Sequence, residues 1–218
     1  MGRPAKRASP RRRAPRRSFT KGIRTRERII EIALELASRD GLGGITIGAL
    51  ADYVGMSKGG LYAHFGSKEE LQLQVLDTAI ARFRADVVEP VLNEEAGLPR
   101  LRAILERWIR WDGQKRLPGG CPFVAFAAEL DEQTGGARDA LVAAYALWMA
   151  FLDRVVTEAV EAGDLPPSTD PRLCAFLLQG ILLSYHQASH LRRDPDARST
   201  ADRALESLLA TLGATRRS

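Results

Sequence analysis

The chain has 218 residues, 45% hydrophobic and 27% charged, which is enough apolar material for one large domain or two small ones and too much for a disordered polymer. Its two cysteines, Cys121 and Cys174, exclude a disulfide framework or a four-cysteine zinc site and fit a reducing cytoplasm. The net charge of +5 is uneven: residues 1–24 hold ten Lys and Arg and no acid, whereas the remainder holds 22 basic and 27 acidic residues.

Taken in chain order, residues 1–24 read as a disordered basic arm, because Pro4, Pro10 and Pro15 interrupt a stretch with almost no apolar residue before Phe19. Such a block of like charge suits phosphates, whether of nucleic acid or of anionic lipid. No apolar h-region follows Arg16-Arg17, so an export signal is not expected. Past the arm the helical period dominates, and an all-helical protein of about nine helices is expected. The first helix starts near Thr25 and buries Ile29, Ile32, Ala33, Leu36 and Ala37, until Asp40-Gly41 ends it. Thr46 caps a short second helix with Ala49, Leu50 and Tyr53 on its inner face, closed by Gly55. A third runs from Lys58 to Phe65 with Leu61 and Phe65 inward. After Gly66, the capping box Ser67-Lys68-Glu69-Glu70 launches a long helix toward Pro90.

Downstream, Leu101, Ile104, Leu105, Trp108 and Trp111 mark a helix stopped by Leu117-Pro118-Gly119-Gly120, and a short helix covers 122–130. A long one follows, with the stripe Leu141, Tyr145, Trp148, Leu152, Val155 and Ala159. Two last helices cover roughly 170–191 and 200–212. The apolar run 173–185 falls short of the ~20 residues of a bilayer span and is interrupted by Gln179, so a soluble, cytoplasmic protein without membrane contact is expected.

Two short helices joined by a tight glycine-containing turn and packed on a first helix form a helix-turn-helix unit. The tract TIGALADYVGMSKGGLYAHFGSKEEL, residues 46–71, with Leu61-Tyr62-Ala63-His64-Phe65 followed by Ser67-Lys68, closely resembles the DNA-binding domain of tetracycline-repressor-type (TetR family) transcriptional regulators. The resemblance extends over about residues 25–76. It implies a helix-turn-helix domain over 25–72 and a helical ligand-sensing and dimerisation domain over 73–218. Read physically, Thr46 sits at a helix start where free amides meet a phosphate, and Tyr62 and His64 turn polar tips outward from the recognition helix. Lys68 adds a point charge to the positive end of a helix dipole. Ser57 and Lys58 open the recognition helix, which makes Lys58 the first choice for reading a guanine. Gly59 and Gly60 depart from the usual pattern: they remove a side-chain phosphate contact, favour fraying without DNA and permit a closer backbone approach. Any one of these residues alone would read equally well as a cap, a solvated lysine or a half-wet aromatic. By analogy with homeodomain arms, the arginines of 1–24 would follow the minor groove or the flanking backbone.

The helix over 170–191 is apolar around its circumference, so one face needs a partner. Phe176, Leu177, Ile181 and Tyr185, with Leu205, Leu208 and Leu209 of the last helix, are expected to form a four-helix homodimer interface that spaces two recognition helices one DNA turn apart. The resemblance further implies a small-molecule pocket whose occupation separates the two DNA-binding heads. Trp108, Trp111, Phe123, Phe126, Tyr145, Trp148 and Met149 would line it and favour an apolar or aromatic effector. Glu129, Asp131 and Glu132 read as a solvated acidic cluster. His186 and His190, four apart, have chelating spacing but no third ligand evident in the sequence, so no metal or other cofactor is expected and the pair is assigned to the dimer interface or its rim. Nucleophile triads, phosphate loops and dinucleotide fingerprints are missing from the sequence, so no catalytic residue is assigned and no enzyme is expected. The expected protein is a ligand-responsive, dimeric repressor on a near-palindromic operator, with a constitutive or architectural DNA binder as the alternative.

Overall fold

The computed structural model describes residues 17–214, which among themselves form only helices, turns and loops. The α-helices are α1 (Arg17–Asp40), α2 (Ile47–Val54), α3 (Lys58–Phe65), α4 (Lys68–Phe83), α5 (Glu89–Leu92), α6 (Leu98–Asp112), α7 (Pro122–Leu130), α8 (Gly136–Glu161), α9 (Pro171–His186) and α10 (Ala197–Thr211). A π-helical segment, Arg84–Val88, joins α4 to α5 without interruption, and a second, Gln187–Leu191, prolongs α9. Counted as continuous rods, the described residues therefore make the nine helices expected.

Helix α1 begins eight residues before Thr25, so residues 17–24 are helical rather than part of an irregular arm. Nothing after Pro15 forbids a helix: it is the last proline before α5, and the helix starts two residues beyond it. Residues 1–16 of the expected arm lie outside the described residues. The punctuation signals operate as expected at Gly41 and Gly55, whose φ values of +74° and +70° are left-handed and reserved in practice for glycine. Ser67 Oγ accepts the Glu70 amide at 3.0 Å, one half of the capping box, while the Glu70 carboxylate accepts from Gln74 Nε2 at 2.7 Å.

The fourth rod does not stop at Pro90 but runs through it to Leu92. Proline has no N–H to give the turn before it and its ring crowds that turn. The π-helical segment 84–88 lies immediately upstream, and there the Glu89 amide bonds the Arg84 carbonyl five residues back. Widening the ladder at this point lets the helix pass the proline instead of ending.

One hydrophobic core runs the length of the chain, from Ile29, Leu50, Leu61 and Leu71 to Leu178, Leu205 and Leu209. Helix α1 packs on α4 and α7, and α4 packs on α8 as well as α3, so the first helices are fused to the rest by apolar burial. Among the described helices α8 is long and apolar enough to cross a membrane by length and composition, which the shorter run 173–185 is not. In the fold one face of it joins the core, with Leu141, Phe151, Leu152, Val155, Val156 and Ala159 buried and the helix packed on α4, α7 and α9, while Val142, Tyr145 and Leu147 are exposed. The aromatic rings expected to line a pocket largely pack on one another. Phe83 meets Trp111, Phe123 and Trp148 edge to face at 5.6, 5.5 and 5.0 Å between centroids, and Trp148 stacks on Phe151.

Candidate nucleic-acid interface

The helix-turn-helix geometry is built from local signals. Thr46 Oγ1 accepts the Ala49 amide at 3.1 Å and fixes the start of α2, and Ser57 Oγ accepts the Gly60 amide at 3.1 Å and fixes the start of α3. Between them, the left-handed Gly55 donates to carbonyls of the last turn of α2 and turns the chain. Leu61 and Phe65 are fully or almost fully buried, which anchors α3 by one face and turns the other to solvent.

That outer face carries most of the expected residues. Lys58, Gly59 and Tyr62 are exposed, Tyr62 by 48%, and His64 is half-buried beside Phe65. A Cβ at Gly59 would meet nothing within 4 Å, whereas the Gly60 position is closed by Ser57 Oγ at 3.2 Å. Lys58 leans back over the start of α2, its Cε 3.3 Å from where a Cβ on Gly48 would lie. Thr46 and Ser57 are exposed at the two helix starts.

Lys68, exposed at the start of α4, also has a partner within the fold. Its Nζ donates to the Gly43 carbonyl at 3.0 Å, and Gln72 Nε2 donates to the Leu42 carbonyl at 3.0 Å, so α4 holds the turn between α1 and α2. From the other side Glu129 of α7, expected to be solvated, is half-buried and accepts the Gly43 amide at 2.6 Å. A Cβ at Gly41 or Gly43 would fall 2.2 or 2.6 Å from the Glu129 carboxylate oxygens, so this approach requires glycine at both positions. Sequence reasoning missed the clamp because its partners are 86 residues apart. It also placed Ala49 and Tyr53 inward, whereas both are exposed, Tyr53 by 60%; Ile47, Leu50 and Ala51 are the buried residues of α2. The buried stripe of this two-turn helix lies one residue off the expected one, and a helix this short offers too few repeats for its phase to be read from spacing.

In the larger half, Trp108, Trp111 and Phe126 are buried, Phe123, Trp148 and Met149 are half-buried, and Tyr145 is exposed. Trp148 Nε1 donates to Gln179 Oε1 of α9 at 2.8 Å. A surface recess at the start of α6, lined by Glu95, Leu98, Arg102, Asp164 and Glu206, touches none of these residues. Of the expected interface residues, Phe176 and Leu177 are exposed by 68% and 39%, and Ile181, Tyr185 and Leu208 are half-buried. Leu205 and Leu209 do not belong with them: they are 3% and 1% exposed and pack inside their own subunit, because the apolar stripe of α10 faces α9 and α6.

Comparison with known proteins places this arrangement. Residues 29–75 match the family model of bacterial regulatory proteins of the tetR family, and residues 97–205 match the tetracyclin repressor-like C-terminal domain. The chain belongs to the TetR family of transcriptional regulators. An uncharacterized HTH-type transcriptional regulator from the lacX 3′ region of Lactococcus lactis subsp. lactis is 31% identical over 108 residues, covering 49% of this chain and 55% of that protein. The chain thus matches about half the length of this relative. A TetR transcriptional regulator from Chloroflexus aurantiacus J-10-FL superimposes with a TM-score of 0.77 at 25% identity, covering 89% of this chain and 96% of that one. AibR, solved in complex with isovaleryl coenzyme A and operator DNA, shares the fold with a TM-score of 0.67 at 24% identity over 86% of this chain and 97% of its own.

Proposed function

We propose that the protein is a dimeric, ligand-responsive repressor that binds a near-palindromic operator and is released by a small apolar or aromatic effector. The observation that carries this reading is the outer face of α3, with Lys58, Gly59 and Tyr62 exposed on a helix held from behind by Leu61 and Phe65. In this reading Lys58 and the N-terminal turn of α3 meet base edges in the major groove, while Thr46, Ser57, Gly60, Tyr62, His64 and the start of α4 at Lys68 follow the sugar-phosphate backbone. Dimerisation is supported by the uncovered apolar residues of α8 and α9, Val142, Tyr145, Leu173, Phe176 and Leu177. Response to an effector is supported by the shared fold of AibR, which was solved with an acyl coenzyme A and DNA together. One observation favours the alternative, a constitutive DNA binder: the rings of Phe83, Trp111, Phe123 and Trp148 already occupy one another's edges.

Selection of bound sequences from random DNA with the full-length protein tests the reading. The expected result is enrichment of a two-fold-related pair of half-sites with steep salt dependence. Failure to enrich any sequence would overturn it. Titrating the selected operator complex with apolar and acyl-thioester compounds then separates the two versions, since only the responsive repressor releases DNA.

A further inference from the structure

Asp112, the last residue of α6, is fully buried, yet among the described residues its only ion-pair partners are two imidazoles. His186 Nδ1 lies 2.8 Å from Oδ1 and His190 Nε2 lies 2.9 Å from Oδ2, and the Cys121 amide donates to Oδ1 at 2.7 Å. The two rings stack at 4.8 Å, and the nearest ligating atoms of the three side chains all lie within 4.8 Å of one another. Over them closes the turn before α7. Gly120, at φ +82°, faces the cluster so directly that a Cβ there would fall 2.6 to 2.8 Å from His190 Nε2, Asp112 Oδ1 and His186 Cε1. His190 sits in the π-helical segment of α9, an irregularity found disproportionately where helices carry function.

We propose that Asp112, His186 and His190 form a binding site for one divalent cation of the zinc class. Two imidazole nitrogens and one carboxylate oxygen are the donor set that borderline transition cations select, and three protein ligands leave a position open to water or to an effector group. Ligands on a tetrahedral zinc ion are roughly 3.3 Å apart, and the three donor atoms, all within 4.8 Å of one another, reach that spacing by shifts of about 1.5 Å or less. A dication also balances a buried carboxylate that, among the described residues, has no lysine or arginine ion-paired with it. The histidines alone have chelating spacing; the third ligand, 74 and 78 residues distant in sequence, is supplied by the fold.

The test uses the full-length protein, stripped with a chelator and titrated with Zn²⁺ against a chromogenic competitor, then with Co²⁺ while visible absorption is recorded. One ion per chain is expected, with cobalt bands of a low-coordinate nitrogen and oxygen site, and with affinity lowered at least about tenfold in H186Q, in H190Q and further in the double variant. Zn²⁺ should raise the thermal midpoint of the native protein and leave that of the folded double variant unmoved. Because D112N removes a buried acceptor and risks unfolding, the half-buried histidines carry the decision, with circular dichroism confirming their fold. Zinc binding in the double variant as tight as in the native chain, or Mg²⁺ binding as tightly as Zn²⁺, would overturn the assignment.

Discussion

Lys58 and Lys68 have the same charge and comparable exposure, but the fold gives them different work. Lys68 directs one of its three N–H donors to the Gly43 carbonyl, whereas Lys58 lies along the start of α2 at the exposed end of α3. On the proposed reading K58A lowers operator affinity about tenfold and relaxes preference at one base position, while a phosphate-contact variant such as Y62F weakens all sequences alike; band-shift titrations on a set of single-base operator variants distinguish the two. The cysteines are inert for a physical reason. Burial pushes the Cys121 thiol up to about 12 and the Cys174 thiol up to about 11 from an ordinary 9.0. Both therefore stay protonated at pH 8, and thiol-specific reagents should modify them slowly in the folded protein and fast in urea. The unfolded thiols ionise first, so their contribution is complete below about pH 9 and is lost as pH rises from there toward the folded values, a fall that denaturant melts at pH 8 and pH 10 would register and that C121A would reduce.

At the level of the helix, α3 is the least self-sufficient element. It has eight residues, two of them glycines side by side, and rests on two buried anchors and one serine cap. Gly59 faces open space, so G59A should raise stability by about 0.5–1 kcal/mol in a urea melt, and slow amide exchange over residues 59–62. If the backbone approaches DNA at this position, the same substitution lowers operator affinity, so stability and binding move in opposite directions. G60A should gain less, because its Cβ would crowd the Ser57 hydroxyl that caps the helix. Such elements were legible in the sequence to the extent that their signals are local. Thr46 and Ser67 cap where expected, and Gly41 and Gly55 turn where expected, while the Ser57 cap emerges from the structure. Which side of a two-turn helix faces inward is not a local property, and Ala49 and Tyr53 were misplaced for that reason. The passage of the fourth rod through Pro90 depended on a π-helical segment that no residue pattern announced.

For the molecule as a whole, the proposed dimer rests on the uncovered apolar residues of α8 and α9. F176E places a charge on the most exposed aromatic of α9 and should convert a dimer to monomers in sedimentation velocity, with helical content retained. Long-range pairings were the part of the site that sequence could not supply. Periodicity shows that Leu205 and Leu209 are apolar and in phase, but not whether they face a second subunit or their own α9. In the same way, nothing in the spacing of residues joins Glu129 to Gly43 or Asp112 to the two histidines.

The turn that precedes α7 unites two of these pairings in one peptide. A Cβ on Gly119 would strike the Ser38 carbonyl near the end of α1 at 2.0 Å, while the next residue, Gly120, presses on the histidines from the other side. The Gly119 amide also reaches Ser38 Oγ at 3.3 Å, and the following amide but one, from Cys121, holds Asp112. Neither glycine has room for a side chain, so the segment is packed tightly between the end of α1 and the two histidines. An ion at the proposed site would therefore bear on a peptide packed directly against the end of α1, and amide exchange around residues 38–41 with and without Zn²⁺ would register whether that pressure carries.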